Sequence, residues 1–397
     1  MRLGFFYHTP MRQTANGQLL TAGYLGVFLD SLAPHVERLL CFMYPARTDA
    51  DMTECDYALQ HDNIAWINIG AKQSAWKMSL FPQSYTRHLH AHLHEIDALL
   101  IRAPSPLAPA LGQAVDASTP TILLLVGDYL SGIDDLSQRS LRRELIRLWA
   151  RWNTFQQDRL AQHSLTFVNS QSLYDQYHGT LPDLYLTRTT TLSTSDFYSR
   201  TDTCTGDVIR LLYTGRINHA KGLLELTQAT LQLRQQGYPV VLDVVGWWEE
   251  GDTIMDEMQA LAQESDDADA LVYHGFKTVG AELFAYYKRA DIYLIGSKSD
   301  FEGFPRSVWE AMAHSVPVVA TQVGSIPHYL TDGEHALLVE PRNVSALVDA
   351  TRRLIATPVL RQTLIANGYA LARQNTLEIR SQELMSRIKT YVQGEPA

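Results

Sequence analysis

With 397 residues, 46% of them hydrophobic and 19% charged, the chain is too long for one core and is expected to form two domains of a soluble globular protein. Its formal net charge of −10 argues against a surface built for nucleic acid, which demands many phosphate-neutralising cations. Apolar runs such as 121–126 fall far short of the roughly 20 residues that span a bilayer, and Met1-Arg2 leads into a strand-like run with no signal-peptide cleavage site, so a cytoplasmic protein is expected.

In chain order, short β-rich runs at 3–7, 36–43, 98–102, 121–126 and 165–169 alternate with stretches of helical period, as in a parallel sheet covered on both faces. His88, His90, His92 and His94 fall in one helical stretch as two i,i+4 pairs; without further ligands these describe a solvated helix face, not a zinc site. Residues 139–152 set Arg139, Arg142, Arg143, Arg147 and Arg151 beside Leu141, Leu145, Leu148 and Trp152. That pattern fits best a helix with its apolar stripe in the core; the alternative is a peripheral contact with an anionic membrane. Cys41, Cys55 and Cys204 are too dispersed for a disulfide framework or a paired metal site.

A hydroxyl-rich block then interrupts the pattern, and the rhythm restarts at 209–214, 240–246, 271–275, 292–296, 318–321 and 336–339. The expected architecture is α/β, with two doubly wound Rossmann-like domains facing a cleft: 1–190, a linker at 191–206, a second domain at 207–375, and a helix at 376–397 crossing back to the first. Ligands of such sheets bind beyond the carboxyl ends of the strands, so function belongs in strand-to-helix loops.

The most informative loop follows the run 292–296. It reaches Glu302, a Gly303-Phe304-Pro305 turn, and a helix expected to start near Pro305, whose missing N–H costs nothing there. The amides of that helix start suit phosphate or sugar oxygens, and Glu302 and Glu310 are placed to reach two parts of one polar ligand. After the run 209–214 comes Gly215-Arg216, then Lys221-Gly222. Arg216 offers a planar fork for phosphate oxygens and Lys221 a compact charge, the cations that a departing diphosphate requires.

The run from Glu302 to Ala313, with Pro317-Val318-Val319-Ala320-Thr321, Val323-Gly324-Ser325-Ile326-Pro327 and the Gly215-Arg216 to Lys221-Gly222 block, closely resembles the donor site of glycosyltransferase family 4. The resemblance covers the second unit strongly and the first in outline. It implies the GT-B fold and a metal-independent, retaining transfer of a hexose-type sugar from a nucleoside-diphosphate sugar, the co-substrate, with no cofactor. The acceptor implied is a glycan or lipid-linked molecule of cell-surface polysaccharide or glycoconjugate synthesis.

By the same resemblance Glu302 contacts the transferred sugar, Glu310 the ribose hydroxyls, and Arg216 and Lys221 the diphosphate. Amides at Phe304 and Pro305 face sugar hydroxyls, those at Arg306 and Ser307 face phosphate, and Gly246 with His274, Gly275 and Phe276 line the nucleotide, the last three beside the base. Many relatives carry a histidine where this chain reads Gly127-Asp128-Tyr129, so no catalytic histidine is assigned and Asp128 stands as the polar candidate. The chain has Trp247-Trp248 where relatives often have a second glycine, and His328 where they have a glutamate.

In the first domain, Gly17 either lets backbone amides approach the diphosphate or simply forms an Asn-Gly turn. Trp76, with Phe81 and Tyr85, and the loop around Arg102 are the candidate acceptor contacts. Two rival functions fit the same scaffold: a sugar-nucleotide epimerase or hydrolase, and a non-catalytic subunit that binds nucleotide sugar.

Overall fold

The computed structural model describes residues 1–116, 118–127, 140–188, 190–248, 251–298 and 303–394. The chain divides into two compact units, one made of Met1–Thr189 with Glu378–Ala397, the other of Thr190–Leu377.

The first unit holds nine strands: β1 (Arg2–Gln13), β2 (Leu19–Thr21), β3 (Arg38–Pro45), β4 (Tyr57–Ala58), β5 (Ile64–Asn68), β6 (Ala98–Ala103), β7 (Thr121–Leu125), β8 (Leu165–Val168) and β9 (Leu184–Leu186). Seven of them run parallel in the order β5-β3-β1-β6-β7-β8-β9. The short β2 and β4 extend the far end of β1 antiparallel. Strand pleating sends alternate side chains to opposite faces. Leu3, Phe5, Leu39, Cys41 and Met43 therefore enter one core, and Phe6, Leu40, Phe42 and Tyr44 the other. The sequence pattern alone misses β2, β4, β5 and β9, which are short or only half-buried and lack a sustained apolar run.

The chain returns to this unit at its end. The Leu377–Val392 helix drives Leu384, Met385 and Ile388 into the core that also holds Leu25 and Leu29.

The second unit is a six-stranded parallel sheet of β10 (Ile209–Arg216), β11 (Val240–Trp247), β12 (Leu271–Tyr273), β13 (Ile292–Ile295), β14 (Val318–Thr321) and β15 (Leu337–Val339). Its order is β12-β11-β10-β13-β14-β15, so the winding reverses between β10 and β13. A crevice at such a switch point is where this class of sheet takes its ligand.

Residues 191–206, expected as a linker, are packed into this second unit. Leu192 is fully buried in its core, Arg200 donates to the carbonyls of Ser315 and Lys288, and Asp202 pairs with buried Arg361 at 2.6 Å. Hydroxyl-rich composition suggests a solvated tether, but here the polar side chains carry hydrogen bonds that tie the segment down.

Ile388→Ala should cost about 2–5 kcal/mol in urea unfolding, because it empties a filled core position. Ile379→Ala, on the same helix but exposed, should cost less than about 1 kcal/mol.

Candidate active site

β10 ends on Gly215-Arg216, and the chain turns through Asn218 and the His219–Lys221 turn to Gly222, where the Leu223–Gln235 helix begins. Gly222 has φ +72°, and a Cβ there would lie 1.9 Å from the carbonyl oxygen of Gly296, just past β13. Only glycine fits. The Lys298 N–H donates to the Ala220 carbonyl at 2.9 Å, and Lys298 Nζ pairs with Glu225 at 2.9 Å. The loops after β10 and β13 are thereby stapled together at the switch point. Arg216 is exposed there and Lys221 half-exposed.

A second glycine contact lies one strand over. Gly215 and Gly246 are in register, and a Cβ on Gly246 would meet the Gly215 carbonyl oxygen at 1.8 Å. The Gly246 N–H in turn donates to the Gly275 carbonyl at 3.1 Å. Near the carboxyl ends of these strands Gly215, Gly246 and Gly275 thus form a glycine ledge, where a ligand can approach the backbone.

Beyond β13, Glu302 lies outside the described residues, as does Asp128 in the first unit. Gly303 and Phe304 lead to the Arg306–Ala313 helix, with Pro305 as its N-cap, one place earlier than the first helical position expected for it. Pro305 supplies no capping side chain. It also has no N–H, so it cannot donate to a sugar hydroxyl, and the amides at this start belong to Phe304, Arg306 and Ser307. The Phe304 ring turns inward and stacks on buried Trp309 at 4.1 Å.

Glu310 is buried in a polar network that the sequence did not reveal. It accepts from Thr191 Oγ1 at 2.9 Å and from Tyr287 OH at 2.8 Å. Tyr287 also meets the Thr214 hydroxyl, and Tyr293 donates to the Thr214 carbonyl at 3.3 Å. Burial raises the Tyr287 phenol well above its ordinary range and pushes Tyr293 up to about 12, so both keep their protons and donate. His314 completes the packing, fully buried, with Nδ1 2.7 Å from the Glu310 carbonyl and its ring stacked on Tyr287.

His274 turns its ring toward buried Asp243, 2.6 Å away, its N–H donates to the Val244 carbonyl at 3.0 Å, and Phe276 is exposed. Trp247, Trp248 and Tyr273 add an exposed aromatic edge at the ends of β11 and β12. Lys298, Thr191 and Tyr287 escaped the sequence reading because their partners are remote in the chain and no local motif marks them.

The first-unit candidates fall on separate elements. Gly17 sits in the β1–β2 hairpin turn, closed by the Gly17 N–H to the Thr14 carbonyl at 3.0 Å, so the structure gives this position its Asn-Gly turn. Arg102, near the end of β6, lies over the Tyr7 and Tyr24 rings. Trp76 is exposed on the Ala75–Leu80 helix, Phe81 is exposed just after it, and Tyr85 is buried. Among the described residues no three His, Cys, Asp or Glu side chains group into a metal site.

Gly222→Ala should lower the thermal stability by more than about 2 kcal/mol, since backbone must move to admit the methyl group. Gly333→Ala, also at φ +72° but in open space, should cost only about 1 kcal/mol, which separates the contact from the conformation. His314 provides a pH signature, because burial lowers its imidazole from 6.5 to about 4. Between those values the unfolded chain binds a proton that the folded one excludes, so stability falls as pH drops through the window, by about 1.4 kcal/mol per unit. Thermal unfolding across pH should show this slope, and His314→Gln should reduce it by about 1.4 kcal/mol per unit, leaving the similar contribution of His8, which burial also lowers to about 4.

Residues 203–371 match the family model described as glycosyl transferases group 1. Among curated relatives, the D-inositol 3-phosphate glycosyltransferase of Actinosynnema mirum is 34% identical over 172 residues, covering 42% of this chain and 40% of that protein. The capsular polysaccharide biosynthesis glycosyltransferase CapM of Staphylococcus aureus is 28% identical over 181 residues, 45% of this chain and 46% of CapM. The matches thus span less than half the length of these relatives. Solved structures align with nearly the whole chain. Anabaena HepE in complex with UDP has a TM-score of 0.74 at 17% identity, covering 98% of this chain and 100% of that one. WaaG, a glycosyltransferase involved in lipopolysaccharide biosynthesis, has a TM-score of 0.64 at 14% identity, covering 97% and 99%. At such identities the likeness is one of fold. Residues 203–371 thus match the glycosyl transferases group 1 family model, and the chain that carries them has the GT-B fold.

Proposed function

We propose that the chain is a cytoplasmic, retaining glycosyltransferase that moves a hexose-type sugar from a nucleoside-diphosphate sugar to a glycan or lipid-linked acceptor. The observation that supports this reading is the stapled pair of loops at the β10/β13 switch point, where Gly222 meets Gly296 and Lys298 bonds to Ala220 in the turn that carries Lys221; the loop after β13 goes on in sequence to the Arg306–Ala313 helix. Two cations and a helix N-terminus suit a diphosphate, whose charge grows as the glycosidic bond breaks. The glycine ledge beside them lets that group approach the backbone. HepE structures in complex with UDP and with UDP-glucose support a donor of this class.

In this reading Glu310, held by Thr191 and Tyr287, takes the ribose hydroxyls. Glu302 contacts the transferred sugar, and the departing phosphate accepts the proton of the attacking acceptor hydroxyl. No metal or further cofactor is required. On the first unit, Arg102 and Asp128 are the polar candidates for the acceptor, with Trp76 as an outlying one, and Gly17 is the candidate for a backbone contact to the donor diphosphate.

Thermal-shift screening against nucleotide sugars should yield one donor that raises the melting temperature. With that donor and an acceptor, Lys221→Ala or Arg216→Ala should cut kcat about a hundredfold or more, the scale of losing one charge-stabilising group. Transfer left intact by Lys221→Ala and Glu302→Gln would refute the assignment. Release of free sugar or epimerised nucleotide sugar without any acceptor would favour the rival enzyme.

A further inference from the structure

The Ser140–Ala161 helix packs Leu160 and Ala161 into the first unit's core but departs elsewhere from a helix that serves only a core. Its inward side carries Trp149 and Ala150, but also Asn153 and Gln157, 1% and 5% exposed. Oδ1 and Nδ2 of Asn153 and Oε1 of Gln157 are buried without a hydrogen-bond partner. Its outward side presents Leu145, Leu148, Trp152 and Phe155, exposed by 51%, 58%, 44% and 57%. Their spacing of three, four and three residues puts them on one stripe.

The Ala75–Leu80 helix packs beside this one, through Trp149 Nε1 donating to Ser79 Oγ at 3.2 Å and the Trp76 and Trp149 rings 6.3 Å apart. It exposes Trp76 and Leu80 in turn, and Phe81 follows at 66% exposure. An apolar surface of this extent on a water-soluble unit marks a docking site.

The surroundings select the partner. Although the chain carries −10 overall, the Ser140–Ala161 helix has half-buried Arg143 and Arg147 and exposed Arg151 and Arg159 against Glu144 and Asp158, and Lys77 lies exposed next to Trp76 in the chain. We propose that this face docks on a membrane surface rich in anionic phospholipid, with Leu, Trp and Phe side chains entering the headgroup boundary and the arginines meeting phosphates. A second copy of the chain is the poorer occupant, because it would set one row of arginines against another.

The test is flotation of the full chain with phosphatidylcholine vesicles, with and without phosphatidylglycerol. Binding is expected to the anionic vesicles and to weaken with salt. Leu148→Ser/Phe155→Ser should reduce the partition coefficient at least about tenfold, and Arg151→Glu about fivefold or more. These side chains are exposed, so unchanged thermal unfolding confirms intact variants. No binding of the wild type to anionic vesicles, or binding unaltered in the double variant, overturns the proposal. So does a dimer dispersed by that variant in the absence of vesicle binding. A donor thermal shift on the same samples separates the two readings: vesicle binding without any donor response refutes glycosyl transfer alone, and a donor response without vesicle binding refutes the docking alone.

Discussion

The contact between the backbones of Gly222 and Gly296 sets the geometry of the second unit. A single β-carbon on Gly222 would sit 1.9 Å from a carbonyl oxygen, so the loops after β10 and β13 reach each other only because that carbon is missing. Once they touch, the Lys298 amide can bond to Ala220 and its ammonium to Glu225. The result is a fixed contact between the turn that carries Lys221 and residues Gly296 and Lys298 just past β13. In a parallel sheet this is the place where the winding reverses, and here the reversal is locked by packing.

Glu310 depends on that frame in a different way. A buried carboxylate is unfavourable unless its oxygens are hydrogen-bonded, and here each has a hydroxyl donor. The donors come from far apart in the chain: Thr191 from the segment opening the second unit, Tyr287 from the Ala281–Arg289 helix. Because burial keeps the Tyr287 phenol protonated, the direction of its bond is fixed and the carboxylate is held in one orientation. Preorganisation of this kind spares the reorganisation that a mobile group would need on binding.

These two devices differ in how far the sequence displays them. The Gly215-Arg216 to Lys221-Gly222 block and the Gly303-Phe304-Pro305 turn are local, since each residue's role follows from its own backbone conformation or charge, and the α/β alternation is equally plain. The network around Glu310 is not local, and nothing near Thr191 in the chain announces a partner at Glu310. Composition misled at 191–206, where threonines and serines suggested a tether while Leu192 and Arg200 anchored the segment. In the first unit β5 and β9 are short and half-buried, too weak a pattern to separate from loop.

The Ser140–Ala161 helix marks the limit of pattern reading most clearly. Its periodicity is compatible with either face turned inward, because a helical stripe states that one side is apolar and not which way that side points. Burial decides it: Asn153 is inside and Trp152 outside. On folding energetics alone this arrangement is unfavourable, since each buried amide group without a partner costs about 1–3 kcal/mol and the exposed leucines and aromatics return nothing in water. Leu145, Leu148, Trp152 and Phe155 therefore contribute little to holding this unit together. Their free energy becomes available only when something apolar covers them, and the arginines beside them set the charge of that surface.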